Sequence, residues 1–163
     1  MNFTPFPELQ TQRLLLRQLQ PTDWKEIVYL RSDAIVNQFV KRPQATNKSE
    51  ALAFIDKIST ATKNNESLYW CITLKESIEM IGSISLWNFS KDLKTAEVGY
   101  DLMPKFQGSG IMNEAMKTIL EFGFKTLGFQ KIEAYTHKDN EPSKSLLLKN
   151  SFKLAVKRID LED

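Results

Sequence analysis

The run Pro104-Lys105-Phe106-Gln107-Gly108-Ser109-Gly110-Ile111 carries the strongest chemical signal in the chain. Two glycines let a backbone approach an anion closely, and a helix starting at this point supplies free amides and the positive end of its dipole. A pyrophosphate is the natural guest. From Gly108 and Gly110 alone, a tight turn that needs glycine only for its dihedral angles reads equally well. No Gly-Lys-Ser/Thr follows, so the loop is not of the Walker type, and Asn113 stands where the dinucleotide-binding fingerprint has its third glycine. Upstream, the two-residue alternation of an expected strand puts Glu97, Gly99 and Asp101 on one face and Ala96, Val98, Tyr100 and Leu102 on the other. A rise of about 3.4 Å per residue sets the two carboxylates roughly 14 Å apart, too far to work as a pair. Either is a candidate for proton transfer or a solvated strand carboxylate. Downstream, Asn140 and Ser143 lie at the start of an expected helix, where such residues cap the helix or offer polar groups to a ligand.

These residues need elements to hold them. Arg13 to Leu19 reads as a first strand, and Thr22 or Asp23 as the cap of a helix through Trp24, Ile27, Val28 and Leu30. A longer helix runs from Ser49 through Leu52, Phe54, Ile55 and Ile58 to a stop at Lys63-Asn64-Asn65. Three strands follow as an antiparallel meander, Leu68 to Lys75, Met80 to Leu86 and Thr95 to Met103. After Gly110 the period changes to 3.6, with Ile111, Ala115, Ile119 and Phe122 on one arc, and Gly128 is placed to end that helix. Lys131 to Thr136 reads as a strand, Pro142 to Lys149 as a helix and Phe152 to Ile159 as a last strand. The order is α+β with one strand-helix-strand unit carrying the glycine loop.

The 163 residues are 42% hydrophobic, enough to bury the core of one domain, and no repeat or linker marks a second one. The net charge of +2 lacks the basic excess of a duplex-binding domain, so nucleic acid is not an expected partner. No run of about 18 apolar residues suggests a membrane span. Cys71 is the single cysteine, and the N-terminus has no signal-peptide pattern, so the expected compartment is the cytoplasm. Cys71 is expected to be a packed structural thiol. His137, the single histidine, is expected on an exposed loop with no metal site around it. Trp24, Phe39, Phe54, Tyr69, Trp70 and Trp87 read mostly as core, with the early helical region able to line a pocket.

Glu97-Val98-Gly99-Tyr100-Asp101-Leu102-Met103-Pro104, leading into Gln107-Gly108-Ser109-Gly110-Ile111-Met112-Asn113-Glu114-Ala115, resembles the acetyl-CoA motif of the GNAT superfamily, in its RimJ/RimL-like branch. Thr11 to Arg17 and the segments Asn140 to Ser143 and Leu147 to Phe152 fit the same branch, so the resemblance spans nearly the whole chain in the right order. It implies a GNAT-like mixed central sheet, mostly antiparallel, flanked by helices, with a β-α-β acetyl-CoA-binding core in a single domain, 1–163. Family members carry a further C-terminal strand, for which no sequence is left after Ile159 and Asp163. Lys105 and Ser151 depart from the pattern, the latter standing where glycine usually precedes Phe152.

The resemblance further implies an N-acetyltransferase that takes acetyl-CoA as co-substrate. The acceptor is a primary amine, on a protein N-terminus or a small molecule, attacked directly in a ternary complex by a monomer or homodimer. The amides of Gly108, Ser109, Gly110, Ile111 and Met112, with Gln107 beside them, are assigned to the pyrophosphate. Leu102, Met103, Asn140 and Ser143 are assigned to the pantetheine arm and thioester. Amine acetylation needs a neutral amine, which makes Glu97 the first candidate base and Asp101 its rival. Many members place a tyrosine acid a few residues after the Ser143 position, where this chain has Leu146, Leu147 and Leu148, so Ser143 is the expected donor to sulfur. A catalytically inactive acyl-CoA-binding sensor and a nucleotide-binding module are the alternatives.

Overall fold

The computed structural model describes residues 1–155. Its strands β1 (Leu9–Gln10), β2 (Leu14–Gln18), β3 (Leu68–Leu74), β4 (Gly82–Trp87), β5 (Thr95–Leu102) and β6 (Lys131–Glu133) form one sheet in chain order. Every neighbouring pair is antiparallel except β5 and β6, which run parallel because a helix connects them. Helices α1 (Trp24–Ser32) and α2 (Lys48–Lys63) precede the meander, α3 (Ile111–Glu121) joins β5 to β6, and α4 (Glu141–Lys149) follows. The mixed, mostly antiparallel sheet with flanking helices is the architecture expected.

Helices cover both faces, which is why β3 is rich in aromatic and aliphatic residues on both sides of its pleat. On one face Leu14, Leu16, Trp70, Ile84 and Val98 pack in the core with Ile111, Ala115, Met116 and Ile119 of α3. On the other, Leu19, Cys71 and Met80 pack with Ile27 and Leu30 of α1 and Ala51 and Ile55 of α2. The α3 stripe repeats every three or four residues and faces the sheet, in a helix that begins at Ile111, directly after the glycine loop.

The differences from the sequence reading have local causes. β1 is a two-residue strand among prolines, too short to leave a periodic signal. Asp23 precedes α1, but its carboxylate accepts from the Gln20 amide at 2.8 Å and from both terminal nitrogens of Arg17 rather than capping α1. Asn47 caps α2 by accepting from the Glu50 amide at 2.9 Å, so the helix starts at Lys48, one residue ahead of the expected Ser49. Phe152 begins no strand: its amide donates to the Leu147 carbonyl at 3.0 Å, closing the end of α4 while Ser151 takes a left-handed φ of 66°. The remainder of that expected strand, at 156–159, lies outside the described residues.

Candidate active site

β6 pairs with β5 only from Thr95 to Glu97, and stops at Glu133 rather than at Thr136. β5 runs on to Leu102, so a gap opens beside its second half. The Met103 amide donates to the Ile81 carbonyl at 2.9 Å, which fixes the ladder: residues 97, 99 and 101 turn their backbone groups toward β4. Tyr100 and Leu102 therefore turn theirs toward the gap, where their amides meet no acceptor among the described residues. Of the expected pair Leu102 and Met103, only Leu102 offers a free amide. The hydroxyl of Thr136, just past the point where the strands part, is buried with no hydrogen-bond partner.

The glycine loop follows without a break. Pro104–Phe106 makes one 3-10 turn, and the Gln107 side chain reaches back to donate to the Leu102 carbonyl at 3.0 Å, bracing the loop on the strand. Gly108 and Gly110 sit at φ of 83° and 80°, a region that L side chains avoid. A Cβ at Gly108 would meet no protein atom within 4 Å, so the space above it is open. The amides from Gly108 to Asn113 donate to no described acceptor, and α3 points its positive end at them. Arg13 holds the loop from below: it donates to the Ser109 carbonyl at 2.9 Å and to the Glu114 carboxylate at 2.8 Å. Glu114 also accepts from the Thr11 hydroxyl and the Arg13 amide. Although its partial burial acts to raise the Glu114 carboxyl, the bonds from Thr11 and Arg13 and the guanidinium charge bring it below the ordinary carboxylate value. An open loop, braced from beneath and rich in unused donors, fits a pyrophosphate.

Glu97 and Asp101 share a face, as the alternation predicts, but their surroundings differ. Glu97 is half-buried beside the Asn88 amide nitrogen at 3.4 Å, and opposite Trp87 in the ladder. Asp101 has a side chain only 8% exposed, with Oδ1 accepting from Ser83 at 2.5 Å and Oδ2 paired with Arg42 at 3.1 Å. Burial, and next the Asp101 charge, push the nearby Tyr69 phenol well above its ordinary value. Asp101 is thus the acidic half of a buried ion pair.

Asn140 caps α4, its side-chain oxygen accepting from the Ser143 amide at 3.2 Å. The Ser143 hydroxyl, buried at the first turn, shares a 2.5 Å hydrogen bond with the phenol of Tyr100. Burial raises the Tyr100 phenol above its ordinary value, against the pull of Ser143, so it stays protonated at neutral pH. Sequence reasoning missed Tyr100 and Thr136 as site residues. The signal for Tyr100 was its alternation onto the face opposite Glu97, which points it at α4. His137 stacks on Phe39 with ring centroids 5.3 Å apart, and among the described residues no cluster is arranged to hold a metal. Cys71 is buried, and that burial, with Asp23 alongside, pushes its thiol far above the ordinary range. Trp70 is core as expected, whereas Phe39, Phe54, Tyr69 and Trp87 line the cleft.

One cleft of about 1530 Å³ runs from Gly108 and Gly110 past Tyr100, Asn140 and Ser143 to Glu97, Asp101 and Arg42. A family profile for the acetyltransferase (GNAT) domain matches residues 13–153. The chain belongs to the GNAT acetyltransferase family. Its relatives include the N-acetyltransferases p20 of Bacillus licheniformis, 31% identical with 88% of this chain and 81% of that protein covered, and YoaA of Bacillus subtilis, 29% identical over 90% and 83%; both are called uncharacterized. RimL, a ribosomal L7/L12 alpha-N-protein acetyltransferase solved with coenzyme A, shares the fold with a TM-score of 0.83 at 21% identity, over 92% of this chain and 86% of RimL. This GNAT domain is an N-acetyltransferase, of a family that uses acetyl-CoA. No helix among its described residues is long and apolar enough to cross a membrane.

Proposed function

We propose that this GNAT domain transfers the acetyl group of acetyl-CoA to a primary amine, on a protein N-terminus or a small molecule, by direct attack in a ternary complex. One observation carries the reading: the unused amides of the glycine loop, the free edge of β5, the Tyr100–Ser143 pair and Glu97 border a single cleft. Acetyl-CoA supplies the thioester. The amides of Gly108, Ser109, Gly110, Ile111 and Met112 take the pyrophosphate, with Gln107 holding the loop to the strand. The free amides of Tyr100 and Leu102 accept an extended amide chain as an added strand would be accepted, and Thr136 and Asn140 offer further polar groups.

The amine nitrogen attacks the thioester carbonyl carbon, and a free β5 amide receives the charge that develops on the oxygen. The carbon–sulfur bond breaks, and the sulfur takes a proton through the Ser143 hydroxyl, which the protonated Tyr100 phenol backs. Glu97 takes the proton lost by the amine, directly or through water. Asp101 has both oxygens engaged and holds Arg42 instead. The buried, protonated Cys71 fits transfer without an acetyl-enzyme.

Thermal melting in CoA and acetyl-CoA, followed by thiol release on a panel of amines, tests this. A ligand at a hundredfold excess over its Kd adds about 2.7 kcal/mol to stability, a readily measured shift. No shift with either compound removes the loop as a CoA site. A shift without thiol release on any amine leaves binding alone.

A further inference from the structure

Arg31, in the last turn of α1, lines the same cleft and is half-buried there. Its guanidinium lies 4.0 Å from the centroid of the Phe54 ring and donates one hydrogen bond, to the Pro43 carbonyl at 3.0 Å. A guanidinium has five N–H donors, and desolvated charges in proteins are normally paired. Yet among the described residues no carboxylate lies within ion-pair distance of Arg31. The nearby Asp101 is committed to Arg42, whose own charge acts on Arg31 as repulsion. Burial first, and then Arg42, lower the Arg31 pKa. Two arginines against one aspartate leave an uncompensated positive charge in the wall of the cleft.

We infer that Arg31 is a subsite for an oxyanion carried by the acceptor, and that the acceptor is a peptide with an acidic side chain a few residues after its amino terminus. The inference rests on the reading that the acceptor amine sits at Glu97. The Arg42 nitrogen that pairs with Asp101 also donates to the carbonyl of Leu30, the residue before Arg31, at 2.8 Å, and Asp101 lies roughly 14 Å along β5 from Glu97, a span of about four extended residues that the reach of the side chains shortens. The oxyanion therefore belongs to the second to fourth residue of the peptide rather than to the one that bears the amine. The planar guanidinium fork, stiffened by the Phe54 ring, suits a carboxylate approached edge-on, and a phosphate presents the same chemistry. The packing on Phe54 and the bond to Pro43 leave the other donors free for it.

The test uses amidated tetrapeptides that are neutral or carry one Asp, or one phosphoserine, at position two, three or four. Thiol release is followed with wild type, Arg31→Gln and Arg31→Lys, and with Lys63→Gln as a charge control at the far end of α2. Hydrogen bonds to a charged partner favour the acidic peptides by about 10- to 100-fold in kcat/KM, through KM, in wild type and Lys63→Gln. Arg31→Gln brings them down to the neutral peptide and leaves the neutral peptide unchanged. Arg31→Lys keeps the charge without the fork and falls between. The Asp and phosphoserine arms identify which oxyanion is taken. Equal losses on neutral and acidic peptides, or no acidic preference in wild type, overturn the subsite. If Arg31→Gln does not fold, Arg31→Lys decides: an undiminished acidic preference overturns the role of the fork. If wild type turns over no peptide, the activity reading has failed, and calorimetry of the same peptides on the CoA-loaded protein decides the subsite. Weaker acidic-peptide binding in the Arg31 variants supports it, and equal binding overturns it.

Discussion

The two ends of the cleft are built from different materials. The loop end consists of backbone: free amides from Gly108 to Asn113, the open edge of β5 at Tyr100 and Leu102, and two glycines at positive φ. The Arg31 end consists of side chains from distant segments: Arg31 of α1, Arg42 from the stretch between α1 and α2, Tyr69 of β3, Ser83 of β4 and Asp101 of β5. A backbone cradle fixes a pyrophosphate regardless of side-chain identity, so it can stay the same while the wall opposite changes its acceptor. The side-chain wall is a network in which each polar group needs the next.

The contrast predicts opposite failures. A Cβ at Gly108 meets no protein atom within 4 Å, so Gly108→Val points its side chain into the guest's space and forces a β-branched residue into the left-handed region; we expect roughly a 100-fold or greater loss of kcat/KM, with unfolding moved by only about 1–2 kcal/mol. Kinetics beside a urea melt checks this, and a folded variant with normal CoA binding breaks the comparison. Asp101→Ala should do the reverse, leaving Arg42 unpaired and costing about 3 kcal/mol of stability while CoA still binds. A melt with and without CoA reads both effects.

Tyr100→Phe and Ser143→Ala should each lower kcat by about tenfold, modest for a general acid because a thiolate leaves readily, and the double variant should be no worse than either alone. Additive losses would show two separate roles. Glu97→Gln should lower the rate mainly at low pH, where the acceptor amine is still protonated, and an unchanged pH–rate profile would remove Glu97 as the base. Ser151→Gly, just past the end of α4 and not among the residues that line the cleft, should stabilise the fold by about 0.5–1 kcal/mol by relieving a φ of 66°, with kinetics unchanged.

Acid stability follows from Glu114. Its folded pKa is depressed by Thr11 and Arg13, so the unfolded chain binds its proton first as pH falls, and the stability it contributes is present above the unfolded value of about 4.3. That contribution disappears as pH drops through the folded pKa. Glu114→Gln should flatten the stability–pH curve below about pH 4.3 and leave its shape above unchanged, which melts across the acid range would show.

How much of this was legible follows the same division. The glycine loop, α3 and the meander could be read because each rests on a local rule: positive φ, a 3.6 period, alternation. That Asp101 holds Arg42, or that Tyr100 meets Ser143, depends on contacts between residues 59 and 43 positions apart, which no local pattern encodes. Ser151 shows both sides. It was visible as a substitution for glycine, and its cost became visible only with the dihedral angle.

The central claim is that the loop and the free edge of β5 hold CoA through backbone amides. Amide-resolved NMR during a CoA titration tests it directly. The largest shifts are expected on Gly108 to Asn113, Tyr100 and Leu102, while Met103, whose amide is already spent on Ile81, moves little. Saturable CoA binding that leaves those amides unmoved and shifts others instead would contradict it.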